Sequence, residues 1–176
     1  MQHIKKYKLT DETISIVRNG VEITLYRIKA LKKFASVEAG ERGGYIESEA
    51  NLSHDGNCWI YDNSKVYGNA KVYDNSWIYD NAEVYGNAEV YGCAWIFGNA
   101  EVCDNAKVYD FAEVHDYAKV SNNAEVFGNA WVYGNARIYG DAKIYGNAEV
   151  SDNALVCGNA KVCDSIRIRG NSEIRK

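Results

Sequence analysis

The stretch NAEVYGNAEVYGCAWIFGNA, residues 81–100, contains three nearly identical hexads, and the third begins with tryptophan where the two before it begin with glutamate. The pattern continues in both directions. From Trp59 to Ser172 the chain divides into 19 consecutive hexads without insertion or deletion. The second residue is Val or Ile in every hexad, and the sixth is Ala or Ser in 18 of them. Repeats this regular predict a solenoid, because each unit buries its apolar side only against its neighbours.

Each hexad favours a short strand followed by a corner. The β-branched second residue points inward between two outward neighbours. The fourth residue is always Gly, Asp or Asn, the types that adopt left-handed backbone angles at least cost. The small sixth residue then points inward where a larger side chain would not fit. The repeat therefore predicts an all-β structure with almost no room for a helix.

Val or Ile followed four positions later by Ala or Ser, every six residues, resembles the hexapeptide transferase repeat. The resemblance covers residues 59–172. It implies a left-handed parallel β-helix, a triangular solenoid in which three hexads form one 18-residue coil, with about six coils in all. Because this repeat is a scaffold, it implies a fold and not a function.

The tryptophans support the 18-residue coil independently. They stand 18, 18 and 36 residues apart, at Trp59, Trp77, Trp95 and Trp131. Two places after each of them stands another outward aromatic residue, at Tyr61, Tyr79, Phe97 and Tyr133. One face of the solenoid should thus carry two parallel aromatic files. Stacked rings stabilise any such ladder, whereas a flat apolar patch is also typical of a contact surface; both interpretations stay open.

The files are interrupted at YDFAEVHDYA, residues 109–118. The expected Asn, Trp, Tyr and Asn are replaced there by Phe111, Glu113, His115 and Tyr117. Function is expected where an otherwise consistent pattern breaks. Glu113 and His115 could form an orienter and base, or bind a polar group of a ligand lying on the aromatic wall. Alternatively, the charge of Glu113 prevents the β-sheets of other molecules from stacking on this apolar face.

Residues 1–45 carry no hexads and form a predicted N-terminal module, followed by the solenoid over residues 46–176. Asn19-Gly20 lies between alternating apolar and polar residues, which is a strong hairpin signal. A short helix is expected over residues 30–34. The module should act as a β-hairpin cap that covers the open edge of the first coil.

The join between module and solenoid carries a second resemblance. Residues 25–70 resemble the opening segment of the YdcK family of bacterial hexapeptide-repeat proteins, with anchors at Gly43, Gly44, Gly56, Cys58 and Trp59. Members of that family carry transferase labels that rest on the fold. The resemblance therefore implies no established catalytic residues.

An acyltransferase that uses acyl-CoA is the alternative function. In it His115 would be the base, with Glu113 beside it, and acetyl-CoA would be the cofactor. One observation argues against this function. No loop interrupts residues 59–172, so the coils should have flat faces, whereas a binding pocket requires a concave surface. No cofactor is expected otherwise. No metal site is expected either, because the histidines, His3, His54 and His115, lack metal-ligand spacing.

Composition limits the partners and the compartment. Lys and Arg number 20 against 24 Asp and Glu, and this acidic balance disfavours nucleic acid. No apolar run is long enough to span a membrane, and no leader precedes the module. Five cysteines without a CxxC pair predict free thiols in a reducing compartment. The sequence thus predicts a cytoplasmic protein that does not bind membranes.

Together these features favour a non-catalytic binding or assembly module over an enzyme. Its aromatic face, centred on Trp95, Glu113, His115 and Trp131, would hold a protein partner or a second copy of the chain. A flat glycan is a third option, because sugars stack on aromatic rings. The compact repeat would also suit a phage or mobile-element inhibitor of a host factor.

Overall fold

The computed structural model describes residues 5–176, and within them every hexad forms a strand of two or three residues. The strands, numbered in chain order, are β1 (Tyr7–Arg18), β2 (Val21–Ala30), β3 (Arg42–Ile46), β4 (Trp59–Ile60), β5 (Lys65–Val66), β6 (Lys71–Val72), β7 (Trp77–Ile78), β8 (Glu83–Val84), β9 (Glu89–Val90), β10 (Trp95–Ile96), β11 (Glu101–Val102), β12 (Lys107–Val108), β13 (Glu113–Val114), β14 (Lys119–Val120), β15 (Glu125–Val126), β16 (Trp131–Val132), β17 (Arg137–Ile138), β18 (Lys143–Ile144), β19 (Glu149–Val150), β20 (Leu155–Cys157), β21 (Lys161–Val162), β22 (Arg167–Ile168) and β23 (Glu173–Arg175).

The strands form three sheets around one core. The seven-stranded sheet runs from β4 through β7, β10, β13, β16 and β19 to β22, and the six-stranded sheet runs from β6 to β21. The ten-stranded sheet begins with β1, β2 and β3 and continues from β5 to β23. Consecutive hexads enter different sheets, and each strand pairs in parallel with the strand 18 residues later, as Trp77 does with Trp95. The predicted all-β parallel solenoid with 18-residue coils is confirmed.

The solenoid has about seven coils, one more than the hexads predict. In the additional first coil, β3 pairs in parallel with β5, with Tyr45 opposite Lys65. Leu52 forms a parallel bridge with Val72, 20 residues later instead of 18. The hexad pattern did not reveal this coil because its last corner contains two extra residues.

The core is built from the two inward positions of each hexad, as the fully buried Ala112 and Val114 illustrate. The corners adopt left-handed backbone angles, with φ of 60° at Asp80 and 69° at Gly98 one coil later. The Oδ2 atom of Asp80 accepts a hydrogen bond of 3.0 Å from the backbone N–H of Gly98. A corner aspartate thus satisfies a backbone donor of the next coil and links the two coils.

The predicted N-terminal hairpin is confirmed, with positive φ at both turn residues, Asn19 and Gly20. It covers more than an edge, because the buried side chain of Leu25 packs with Tyr45 and Tyr67 on the outer surface of the ten-stranded sheet. Strand β3 (Arg42–Ile46) spans the predicted boundary after residue 45. The division into residues 1–45 and 46–176 stays a prediction.

The helix expected over residues 30–34 is wrong, and the described residues contain no α-helix, only one 3₁₀ turn at Glu49–Asn51. Strand β2 runs through Ala30, and Phe34 then forms an antiparallel bridge with Val37. The ring of Phe34 packs at 5.3 Å from the Trp59 ring. Contact with the first coil determines the conformation of this segment, because five residues are too few for a stable helix.

Candidate binding surface

The tryptophan column lies where the 18-residue coil predicts it, on the outer surface of the seven-stranded sheet, called the aromatic face below. Trp59 lies opposite Trp77, and Trp77 opposite Trp95. Glu113 then pairs with Trp95 on one side and Trp131 on the other. The interruption at Glu113 is therefore at mid-height, with an indole one coil away in each direction.

Trp59 corrects the expectation of four outward tryptophans. Its side chain is fully buried, because the N-terminal segment covers it with Tyr7 and Phe34. Sequence spacing could not reveal this, since both partners lie in a segment without repeats. The open part of the aromatic face begins at Trp77.

The remaining indoles differ in what their ring faces contact. Trp77 and Trp95 stack with ring centres 5.8 Å apart and planes 4° from parallel. Stacking turns one face of each indole toward the other. Tyr61 packs edgewise on Trp77 at 5.8 Å. Trp131 makes no ring contact within the described residues and is 45% exposed.

The second file is continuous from Tyr79 to Tyr133, which corrects the prediction that residues 109–118 interrupt both files. The His115 imidazole lies 4.5 Å from the Phe97 ring and 5.1 Å from the Tyr133 ring, and is stacked on both. Phe97 in turn stacks on Tyr79 at 5.0 Å. An imidazole is a flat aromatic ring, and here it takes the place of the tyrosine that the pattern predicts.

The structure does not join Glu113 and His115 as a catalytic pair. The nearest carboxylate to His115 is that of Asp116, whose Oδ1 lies 3.4 Å from Nδ1, and the His115 side chain is 17% exposed. The Glu113 carboxylate forms no hydrogen bond or ion pair within residues 5–176. Four other outward glutamates contact a cation within 3.0 Å, namely Glu83 with Lys65, Glu101 with Lys119, Glu125 with Lys143, and Glu149 with Arg167.

Large apolar side chains protrude on both sides of Glu113. The exposed fractions are 40% for Trp95, 63% for Phe111, 66% for Tyr117 and 45% for Trp131. Phe111 and Tyr117 occupy corner positions that elsewhere hold asparagines joined from coil to coil, such as Asn57 with Asn75. Replacing such an asparagine with an aromatic residue gives up this amide contact and exposes apolar surface.

Two shallow grooves flank the stacked indoles of Trp77 and Trp95. One, of 380 Å³, is also lined by Phe111, Glu113 and Cys93. The other, of 340 Å³, is lined by Tyr61 and Tyr79, with Asp62 at its edge. Sequence reasoning missed Cys93, although it replaces an asparagine at a corner position as Phe111 does.

Burial raises the pKa of two phenols on this face, Tyr61 and Tyr79, and the shift is large at Tyr79. Burial raises the Tyr79 pKa to about 12, and the nearby negative charge of Glu113 adds to the shift. The Tyr79 phenol therefore remains a protonated hydrogen-bond donor at neutral pH. It could offer that proton to an acceptor lying in the second groove.

The described residues contain no group of three or more His, Cys, Asp or Glu side chains placed to hold a metal ion. His54 lies at the N-terminal end, where its ring stacks on Tyr7 at 4.2 Å. His3 lies outside the described residues. All five cysteines are free, as predicted. No helix among residues 5–176 has the length and apolar character needed to cross a membrane.

Comparison with known proteins relates part of the chain to a curated protein. No protein-family model matches the chain. The chain is similar to a curated protein named uncharacterized acetyltransferase YdcK, from Escherichia coli strain K12, with 38% identity over 65 residues. The match covers 35% of this chain and 20% of that relative. Together with the β-solenoid, it fits a hexapeptide-repeat transferase scaffold.

Proposed function

We propose that the chain is a non-catalytic scaffold that docks a protein partner on its aromatic face. The observation that carries this proposal is the cluster of Trp95, Phe111, Tyr117 and Trp131, which protrude together around Glu113. Tryptophan and tyrosine are enriched among the residues that dominate binding energy. Contiguous exposed apolar surface is typical of contact sites.

The face is suited to binding because it is ordered before a partner arrives. The backbone N–H of Glu113 donates to Ala130 one coil later at 3.0 Å, and His115 donates to Val132 at the same distance. Seven strands at about 4.8 Å spacing give a rigid surface about 30 Å tall. Little conformational entropy remains to be lost at such a surface when a partner binds.

A different protein fits this surface better than a second copy of the chain. Glu113 is at the middle of the aromatic face, so a symmetric pairing of two such faces would bring two Glu113 carboxylates together. Like charges facing each other in an interface cost several kcal/mol. We therefore expect light scattering to give the monomer mass over a wide concentration range. A stable oligomer that dissociates in the Trp95→Ala/Trp131→Ala variant would favour self-assembly instead.

The test begins by identifying the partner. A photoreactive phenylalanine analogue is placed at position 111 in one variant and at position 127 in the control. Phe127 is stacked between Tyr109 and Tyr145 on the six-stranded sheet, away from the aromatic face. One discrete adduct from position 111, without its equivalent from position 127, is expected. Equal cross-linking from both positions would contradict docking on this face.

Binding of the purified partner is then measured by calorimetry. Trp95→Ala/Trp131→Ala is expected to weaken it at least about thirtyfold, the loss that two central anchors would cause. Tyr91→Ala/Tyr145→Ala removes two rings from the six-stranded sheet and should leave the affinity unchanged. The proposal fails if the tryptophan variant binds as tightly as the control.

Acyl transfer is a second candidate, supported by the name of the E. coli relative and by the grooves beside Trp77 and Trp95. In this mechanism acetyl-CoA would lie along a groove and His115 would act as the base. The test is a calorimetric titration with acetyl-CoA, using wild type and His115→Asn. Saturable binding followed by acetyl transfer that His115→Asn abolishes would favour the enzyme over the scaffold.

A further inference from the structure

We infer that the aromatic face recognises an arginine side chain of its partner, held by Glu113 between the indoles of Trp95 and Trp131. This inference rests on the proposed docking function and specifies the chemistry of the partner. The contact surface would then be apolar around one central charge. It selects for a partner that presents one arginine among apolar residues.

The first argument is the unpaired charge of Glu113. On the other two columns Glu83, Glu101 and Glu125 each pair with a lysine of this chain, as Glu101 does with Lys119 at 2.7 Å, and Glu89 accepts the Tyr73 hydroxyl. Glu113 has tryptophans above and below it in the column instead. A carboxylate surrounded by apolar side chains loses water when a partner covers it, and that loss is costly unless a cation pairs with it.

The second argument is the spacing of the indoles. Neighbouring strands are about 4.8 Å apart, so a cation at the level of Glu113 lies within about 6 Å of both indoles, the range of a cation–π contact. One face of Trp95 is stacked on Trp77, and its other face is turned toward Glu113. Trp131 makes no ring contact with any residue from 5 to 176. Apart from the edgewise contact of Tyr79 with Trp95 at 6.5 Å, no further ring among the described residues contacts these two indoles.

The third argument comes from the N-terminal hairpin. The guanidinium of Arg18 lies 4.3 Å from the Tyr85 ring centre and donates to the Glu83 carboxylate at 3.0 Å. Arg27 does the same, 4.3 Å from the Tyr45 ring centre and 2.7 Å from Glu12. Two glutamates of this chain that lie beside an aromatic ring, Glu83 and Glu12, are therefore each paired with an arginine. Glu113 also lies beside aromatic rings, between Trp95 and Trp131 in its column, and has no such partner among the described residues.

The adjoining groove favours arginine over a small cation. Trp77, Trp95 and Phe111 form an apolar wall that leads to Glu113 in a volume of 380 Å³. The methylene stem of an arginine can lie along this wall while its charged end remains at the carboxylate. The guanidinium is planar and weakly hydrated, so it stacks on aromatic faces more readily than an ammonium group does.

The direct test uses N-acetyl-arginine methylamide as the probe and follows the four indole N–H signals by NMR. The arginine probe should shift the Trp95 and Trp131 signals, while the buried Trp59 serves as an internal reference. The neutral analogue N-acetyl-citrulline methylamide should leave all four signals in place. Equal shifts with citrulline, or stronger binding of the trimethyllysine analogue, would overturn the inference.

Two variants separate charge recognition from docking. Glu113→Gln should abolish the arginine-induced shifts and weaken binding of the purified partner about tenfold or more. Glu89→Gln is the matched control, because Glu89, on the six-stranded sheet, also lacks a cation within residues 5–176 and accepts a hydrogen bond from the Tyr73 hydroxyl at 2.9 Å. If Trp95→Ala/Trp131→Ala abolishes partner binding while Glu113→Gln does not, docking stands and the arginine inference fails. If neither variant weakens binding of the partner, the docking proposal itself fails.

Discussion

Two tryptophans of one column should respond very differently to truncation. Trp59 is fully buried and touches the rings of Tyr7 and Phe34, whereas Trp131 is 45% exposed and has no ring contact within the described residues. Truncation of a buried tryptophan to alanine costs about 3–5 kcal/mol, from lost burial and the remaining cavity. Truncation of Trp131 should cost about 1 kcal/mol or less.

The assay is equilibrium unfolding in urea, followed by far-ultraviolet circular dichroism. Trp59→Ala should lower the midpoint several times more than Trp131→Ala does, with a similar slope in each case. Trp59→Phe provides a finer control. The indole Nε1 of Trp59 has no hydrogen-bond partner within the described residues, so phenylalanine keeps most of the packing and removes a buried unpaired donor. It should cost much less than alanine.

Equal midpoint shifts for Trp59→Ala and Trp131→Ala would refute this reasoning. They would mean that the N-terminal segment does not cover the first coil in solution. Hydrogen exchange locates the effect independently. In Trp59→Ala the amides of β1 to β3 should exchange faster, while those of β16 keep their protection.

Three further perturbations follow from individual contacts. Gly98→Ala should lower the free energy of unfolding by at least about 1 kcal/mol, since φ is +69° and a methyl group would lie 2.9 Å from the Asp116 amide nitrogen; an unchanged urea midpoint would contradict this. Arg18→Ala should increase hydrogen exchange in β1 and β2, because its guanidinium anchors the hairpin on the Tyr85 ring; wild-type protection there would exclude that role. Between pH 10 and 12 the free energy of unfolding should fall, because burial raises the Tyr79 pKa from 10.0 to about 12 and the unfolded chain therefore loses this proton first. The urea midpoint of Tyr79→Phe should fall less steeply than that of the wild type over this range. An identical slope for both proteins would argue against the shift.

The sheets and their register could be predicted because each hexad encodes one inward β-branched residue, one inward alanine and one corner. The tryptophan spacing then indicates the coil length without any knowledge of the fold. The first coil could not be predicted in this way, because Leu52 pairs at a spacing of 20 residues. The burial of Trp59 was equally hidden, since it depends on Tyr7 and Phe34, which are distant in sequence.

For the candidate site, the pattern located the residues but not their contacts. Phe111, Glu113 and Tyr117 stand out as departures from the consensus, and the structure places Glu113 on the aromatic face and the other two at the corners beside it. The stacking of His115 between Phe97 and Tyr133 required the ring orientations. That no described residue places a cation beside Glu113 could be recognised only from the positions of the neighbouring side chains. Patterns of residue type carry neither kind of information.

The covered Trp59 also bears on how the chain finds its correct register while folding. Trp59-Ile60-Tyr61 and Trp77-Ile78-Tyr79 are the same tripeptide one coil apart, so a slip by a whole coil would exchange nearly equivalent side chains. Only one of the two tryptophans fits under Tyr7 and Phe34, and Gly43 approaches it so closely that a Cβ there would lie 2.7 Å from the Trp59 ring. The N-terminal segment thus fixes the starting point of coil addition, and it leaves the ribosome before the coils that follow it in the sequence.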